Sequence, residues 1–110
     1  MRPLLATPTM IDEASGIFAA LGDPSRLRIL QVLLEAEAPL NQGVVAARAH
    51  LAQANASKHL SCLVRTGLLT RSQEGNTVYY LPVQPMVSDL CSLVGAHVSH
   101  PVAATLQALN

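Results

Sequence analysis

Between Gln53 and Arg65 the chain gathers side chains suited to one chemistry, hydrogen bonding to a surface rich in donors and acceptors. Gln53, Asn55, Ser57, Lys58, His59 and Arg65 supply amide, hydroxyl, imidazole and cationic groups, and no carboxylate interrupts them. At a helical period Ala56, Leu60, Leu63 and Val64 fall on one stripe, which leaves the polar groups spread over the remaining surface. A helix of this kind fits the major groove of double-stranded DNA, where base edges and phosphates offer the complementary groups. An ordinary surface helix with small polar residues would give the same pattern, so the neighbouring elements must decide. Enzyme chemistry finds no foothold. There is no Gly-rich phosphate loop, nucleophile elbow or paired-carboxylate arrangement, and the four histidines are scattered over separate elements.

The elements around this stretch are those of a helix-turn-helix. Asn41 is placed to cap a third helix running to Arg48 or Ala49, with Val44, Val45 and Ala49 inward, and His50 and Leu51 make the turn into the polar-faced helix. Gly67 ends that helix where a positive φ is needed. Beyond it, Leu68 to Arg71 and Thr77 to Leu81 are β-prone runs joined by Ser-Gln-Glu-Gly-Asn, with Gly75-Asn76 as the turn. A hairpin directly behind such a helix is a wing, and its expected role is to set Arg71 against the DNA backbone. Upstream, Thr9 precedes Asp12 and Glu13 as a helix start, and Ile11, Ala14, Ile17, Phe18 and Leu21 form an apolar stripe that Gly22 stops. Asp23-Pro24 then opens a second helix, apolar around much of its circumference and so central to the core. A last helix from Met86 to about Val98 carries Asp89 as its only charge, and its economical burial is against its own copy. The expected fold class is mostly α with a β-hairpin wing: a winged helix-turn-helix that forms a homodimer through its terminal helices. Residues 1–8 are expected to be a flexible arm, 9–100 the domain, and 101–110 a tail or short helix starting at Pro101.

Composition fits that plan. The 110 residues make one domain, half of them apolar, with Phe18, Tyr79 and Tyr80 as the only aromatics, so the core is built mostly from aliphatic side chains. The formal charge of zero hides a polarised chain. From Asn41 to Leu81, Arg48, Lys58, Arg65 and Arg71 face Glu74 alone, a net +3, whereas Met10 to Leu40 carries five carboxylates against two arginines, a net −3. A modest basic half suits a specific DNA binder with few phosphate contacts and argues against a non-specific coater. Two distant cysteines match neither a disulfide framework nor a zinc-finger spacing and read as reduced thiols. With no signal peptide and no membrane-spanning run, the expected location is cytoplasmic.

Four separate words, in order, resemble the ArsR/SmtB family of winged-helix repressors. They are Ala20-Leu21-Gly22-Asp23-Pro24-Ser25-Arg26-Leu27-Arg28-Ile29-Leu30, then Ser57-Lys58-His59-Leu60, Gly67-Leu68-Leu69, and Glu74-Gly75-Asn76-Thr77-Val78-Tyr79-Tyr80-Leu81. The resemblance covers about residues 10 to 100. It implies a dimeric repressor of operator DNA whose affinity usually falls when a metal ion or thiol-reactive signal binds. By that resemblance Gln53, Ser57 and His59 are the leading candidates for base contacts, followed by Asn55 and Lys58. Ala52 departs from the family's usual capping Ser or Thr, and Asn76 replaces the common Arg at the wing tip, so the resemblance implies weaker DNA affinity.

The signal stays open at this level. The family's Cys-x-Cys pair at the third helix falls here on Asn41 and Gly43, so that soft-metal site is absent. A second family site joins the paired last helices, and His97 and His100 occupy the places of its His-x-x-His pair, which favours nickel or zinc. Gln84 and Met86, in the places of the other pair, are poor ligands, Asp89 and Cys91 stand five residues late, and Pro101 is expected to take His100 out of regular helical geometry. A thiol-responsive regulator using Cys62 is the alternative, with Lys58 and Arg65 near enough to favour a thiolate on the groove-side face. That stretch also resembles a cadmium- and lead-sensing branch, although Thr66 stands where the branch places a second thiol. The remaining alternative is a dimeric DNA-binding module that takes its signal from a partner protein.

Overall fold

Three helix starts in this chain are set by an oxygen-bearing cap, Thr7, Asp23 or Asn41, followed at once by proline or a polar residue. In the computed structural model, which describes the backbone of residues 5–109 and the side chains of residues 5–99, α1 spans Pro8–Leu21. Thr7 caps it, its Oγ1 accepting from the Met10 N–H at 3.1 Å. The start therefore lies ahead of the Thr9 signal, because Pro8 occupies the first helical position, where a missing N–H costs nothing. Residues 1–4 of the expected arm lie outside the described residues.

α2 (Pro24–Ala36) begins in the same way, with Asp23 Oδ1 accepting from the Arg26 N–H at 3.0 Å. It buries Ile29, Leu30 and Leu33, while Leu27 remains 44% exposed. After Glu37, in the left-handed region at φ +52°, the chain enters β1 (Leu40–Asn41) and then α3 (Gln42–Arg48). Asn41 caps α3 as expected, Oδ1 accepting from the Val44 N–H at 3.0 Å. α4 follows over Gln53–Arg65, and Gly67 leaves it at φ +82°.

The wing is longer and tighter than its sequence suggested. β2 (Leu69–Glu74) and β3 (Thr77–Pro82) pair from Leu69 opposite Pro82 to Glu74 opposite Thr77, so the connection shrinks from five residues to the Gly75-Asn76 turn. Gly75 supplies φ +61° at the first turn position, where two-residue hairpins of the II′ kind place glycine. β1 is a strand the sequence reading did not include. It adds to the other side of β3, Leu40 opposite Tyr80 and Asn41 opposite Tyr79, giving the sheet order β1-β3-β2. Two residues carry no alternation of their own, so only the distant partner makes them a strand.

One aliphatic core ties these parts together: Ile29, Leu30 and Leu33 from α2, Val45 and Ala49 around α3, Leu60 and Leu63 from α4, and Leu68, Leu69 and Val87. α5 (Met86–Leu109) is a single helix that continues past the expected end near Val98. Pro101 therefore does not break it: the residue before a proline is biased against helix but not barred from it. Val87 is buried, and Met86 and Cys91 pack against the core, whereas Leu93 (72%), Val94 and Val98 are exposed, as are Met10, Ile11 and Phe18 (63%) on α1.

Candidate nucleic-acid interface

The core anchors α4 through Ala56, Leu60 and Leu63, all buried, and that choice of face dictates what the helix shows. Gln53, Asn55, Lys58 and Arg65 are exposed, and Ser57 and His59 are half-buried at the two edges of the packed stripe. The six polar residues picked out by spacing thus divide into an outer ridge and two flanks.

On one flank, α4 meets the wing. Ser57 and Ser61 from α4, Asn41, Gln42 and Gly43 from the start of α3, and Arg71, Asn76 and Thr77 from the hairpin line an open recess of about 500 Å³. No carboxylate lines it. Arg71 is brought there because its β2 position lies opposite Tyr80 in the sheet, which sets the hairpin beside the helix pair. The two serines are one helical turn apart and so share a face. Ser61 was not singled out from sequence, although its spacing from Ser57 carried the signal.

Gln53 lies beside Gln42, whose Nε2 donates to the Gln53 backbone carbonyl at 3.3 Å and to its side-chain Oε1 at 3.2 Å. The bond takes up the Gln53 acceptor and leaves its amide N–H groups for an outside partner. Gly43 lies beneath this side chain: a Cβ there would sit 3.4 Å from Gln53 Nε2. Ala52 occupies the N-cap of α4 with no side-chain cap bond, as the missing Ser or Thr implied.

On the opposite flank His59 meets Arg26. The Arg26 guanidinium donates from Nε to the Ala20 carbonyl at 2.7 Å and from Nη2 to the Ala19 carbonyl at 3.3 Å, which ties off the end of α1. Its third arm, Nη1, lies 3.4 Å from His59 Nδ1. The Arg26 backbone N–H, with its charge in support, holds the Asp23 carboxyl below the usual aspartate value. In sequence Arg26 stands out only as part of a family word, because its partners lie 6, 7 and 33 residues away.

The candidates for a signal are less assembled. Cys62 does not stand on the groove-side face. It is half-buried and packed against the core. Cys91 packs likewise, and burial pushes its thiol up from the usual range. His97 is exposed on α5, and the side chain of His100 lies outside the described residues. Among the described residues no three His, Cys, Asp or Glu side chains gather closely enough to hold a metal ion. None of the described helices is long and apolar enough to cross a membrane.

A helix pair with an antiparallel hairpin set beside its second helix, and a carboxylate-free polar recess between them, defines a winged helix-turn-helix domain. Comparison with known proteins agrees. The helix-turn-helix domain family matches residues 21–72. The probable mercury resistance operon repressor of Streptomyces lividans is 37% identical over 82 residues, 74% of this chain, and the chain spans only 64% of that repressor. Among solved structures, reduced HlyU from Vibrio cholerae is similar at 30% identity and TM-score 0.67, over 78% of this chain and 88% of that one. A homodimeric winged helix-turn-helix domain from Mycobacterium bovis, described as a possible ArsR-family regulator, aligns at 26% identity and TM-score 0.74, over 83% of this chain and 82% of that one. The chain belongs to the ArsR/SmtB family of winged helix-turn-helix transcriptional regulators, a family of regulators and not of enzymes.

Proposed function

We propose that two copies of this chain bind operator DNA in the cytoplasm as a repressor, with one α4 helix in each of two successive major grooves. The observation that carries this reading is the recess shared by Ser57, Ser61 and Arg71, where a helix that can read base edges and a wing cation that can hold a phosphate lie side by side without a carboxylate. Gln53, Asn55, Ser57, Lys58 and His59 would make the helix contacts, and Arg71 the backbone contact. Pairing rests on the apolar side chains that one chain leaves exposed on α1 and α5, above all Phe18, Leu93, Val94 and Val98. The similar Mycobacterium bovis domain is homodimeric, and the Streptomyces relative is named as a repressor.

For the signal, the proposal is a nickel or zinc ion on His97 and His100 that lowers DNA affinity. These two imidazoles alone do not complete a site, so the fit requires ligands from both copies of α5. The alternative is a thiol-directed signal at Cys62, which is only half-buried, supported by the mercury resistance named for the Streptomyces relative. The third reading takes the signal from a partner protein.

A gel-shift titration of the full chain on DNA from its own promoter tests these readings together. A retarded complex released by nickel or zinc, and not released from a His97→Ala variant, supports the metal reading. Release by a thiol reagent, lost in Cys62→Ser, supports the thiol reading. Binding indifferent to both supports the partner-dependent module. No complex at any moderate salt concentration removes the repressor.

A further inference from the structure

Arg26 never reaches the polar ridge of α4, yet it controls what one of its side chains can offer. A guanidinium carries hydrogen-bond donors and no acceptor. At the 3.4 Å approach of Arg26 Nη1 to His59 Nδ1, the imidazole nitrogen therefore has to accept. A neutral ring has one proton, which is then confined to Nε2. The opposite tautomer would set two N–H groups against each other. Arg26 cannot easily turn away, because its other two nitrogens are committed to the Ala19 and Ala20 carbonyls.

The far side of the ring is free to act on this. Among the described residues His59 Nε2 makes no hydrogen bond within the protein, and no buried side-chain nitrogen or oxygen is left without a partner, so Nε2 reaches solvent. Building on the reading of α4 as the DNA-contacting helix, we propose that Arg26 is a positioning residue for sequence specificity: it fixes His59 as an Nε2–H donor. His59 then accepts only acceptor groups on the duplex. In the major groove these are guanine N7 and O6, adenine N7 and thymine O4, and the amino groups of cytosine and adenine are refused.

Two measurements on the full chain test this. The first is the long-range proton–nitrogen spectrum of the uniformly labelled wild-type protein, taken without DNA at a pH where free imidazole is neutral. His59 is expected wholly as the Nε2–H form, with exposed His97 showing the mixture of a free ring, and Arg26→Met is expected to return His59 to that mixture. A His59 ring no more biased than His97 overturns the proposal.

The second is selection of binding sites from random duplexes by the wild type, Arg26→Met and His59→Ala. Wild type is expected to prefer a base offering an acceptor at one half-site position, and both variants to lose that preference by about tenfold, the scale of a specific base contact. If the wild type selects no site, the reading of α4 itself fails. If a site is selected and His59→Ala changes no position, or weakens all sequences equally, α4 still reads DNA but the proposal is overturned. It is overturned equally if His59→Ala loses the preference and folded Arg26→Met keeps it. Should Arg26→Met not fold, the wild-type tautomer still decides, and Arg26→Gln, whose amide can accept as well as donate and so no longer fixes the ring proton, replaces it in the selection.

Discussion

In the proposed dimer, truncating Leu93 should separate the two copies. Leu93→Ala removes three side-chain carbons, worth about 2.4 kcal/mol at about 0.8 kcal/mol per buried methylene. In the single chain Leu93 is 72% exposed, so roughly 1.7 kcal/mol of that is available to association on each copy. A two-fold interface uses the residue twice, which gives about 3.4 kcal/mol and a rise of about 300-fold in the dimer Kd. Sedimentation equilibrium over a concentration series reads this directly, with far-UV circular dichroism confirming that each chain stays folded. Gln73→Ala, exposed on β2, is the matched control and should leave the Kd unchanged. A folded Leu93→Ala protein whose dimer Kd lies within threefold of wild type would refute the reasoning, because the α5 stripe would then not be what the two copies share. Operator affinity should fall along with the dimer, since a single copy engages only one groove.

Other outcomes follow from single residues. Ala52→Ser gives α4 the cap bond it lacks and should raise stability by about 1 kcal/mol in urea denaturation. Gly67→Ala forces a side chain into φ +82° and should lower stability by about 1 kcal/mol, seen as an earlier thermal transition. Asp23 has its folded-state pKa depressed, chiefly by the Arg26 N–H, so its contribution is complete above the ordinary aspartate range and is lost as the pH falls through the lowered value. Asp23→Asn, which keeps the cap acceptor, should show less acid destabilisation between pH 5 and pH 2 than wild type when denaturation is followed at each pH. Arg71→Ala should weaken operator binding with little change in sequence preference and should reduce the slope of log affinity against log salt by about 1.

The elements were legible wherever local chemistry decides them. Asn41, Asp23, Gly67 and the Gly75-Asn76 pair each mark a cap or turn through their own side chain or lack of one, and each is found in that role. The α4 stripe of Ala56, Leu60 and Leu63 was equally plain, since burial follows the helical period. What escaped depends on contacts distant in sequence. β1 is a strand only because β3 lies beside it, Gln42 matters only because α4 starts across from it, and Arg26 gains its meaning from His59. Cys62 shows the converse. Its spacing from His59 and Asn55 suggested a groove-side thiol, but it is half-buried and packs against the core.

Asn41 belongs at once to the sheet, opposite Tyr79, and to the first turn of α3, whose Val44 N–H it holds. The hairpin is thereby rooted where the helix pair begins, and the two approach a duplex as a single stiff tool. In the proposed dimer, curvature or irregular spacing in the DNA would have to be absorbed where one copy joins the other, since a hairpin fastened in this way has little freedom to bend and follow it.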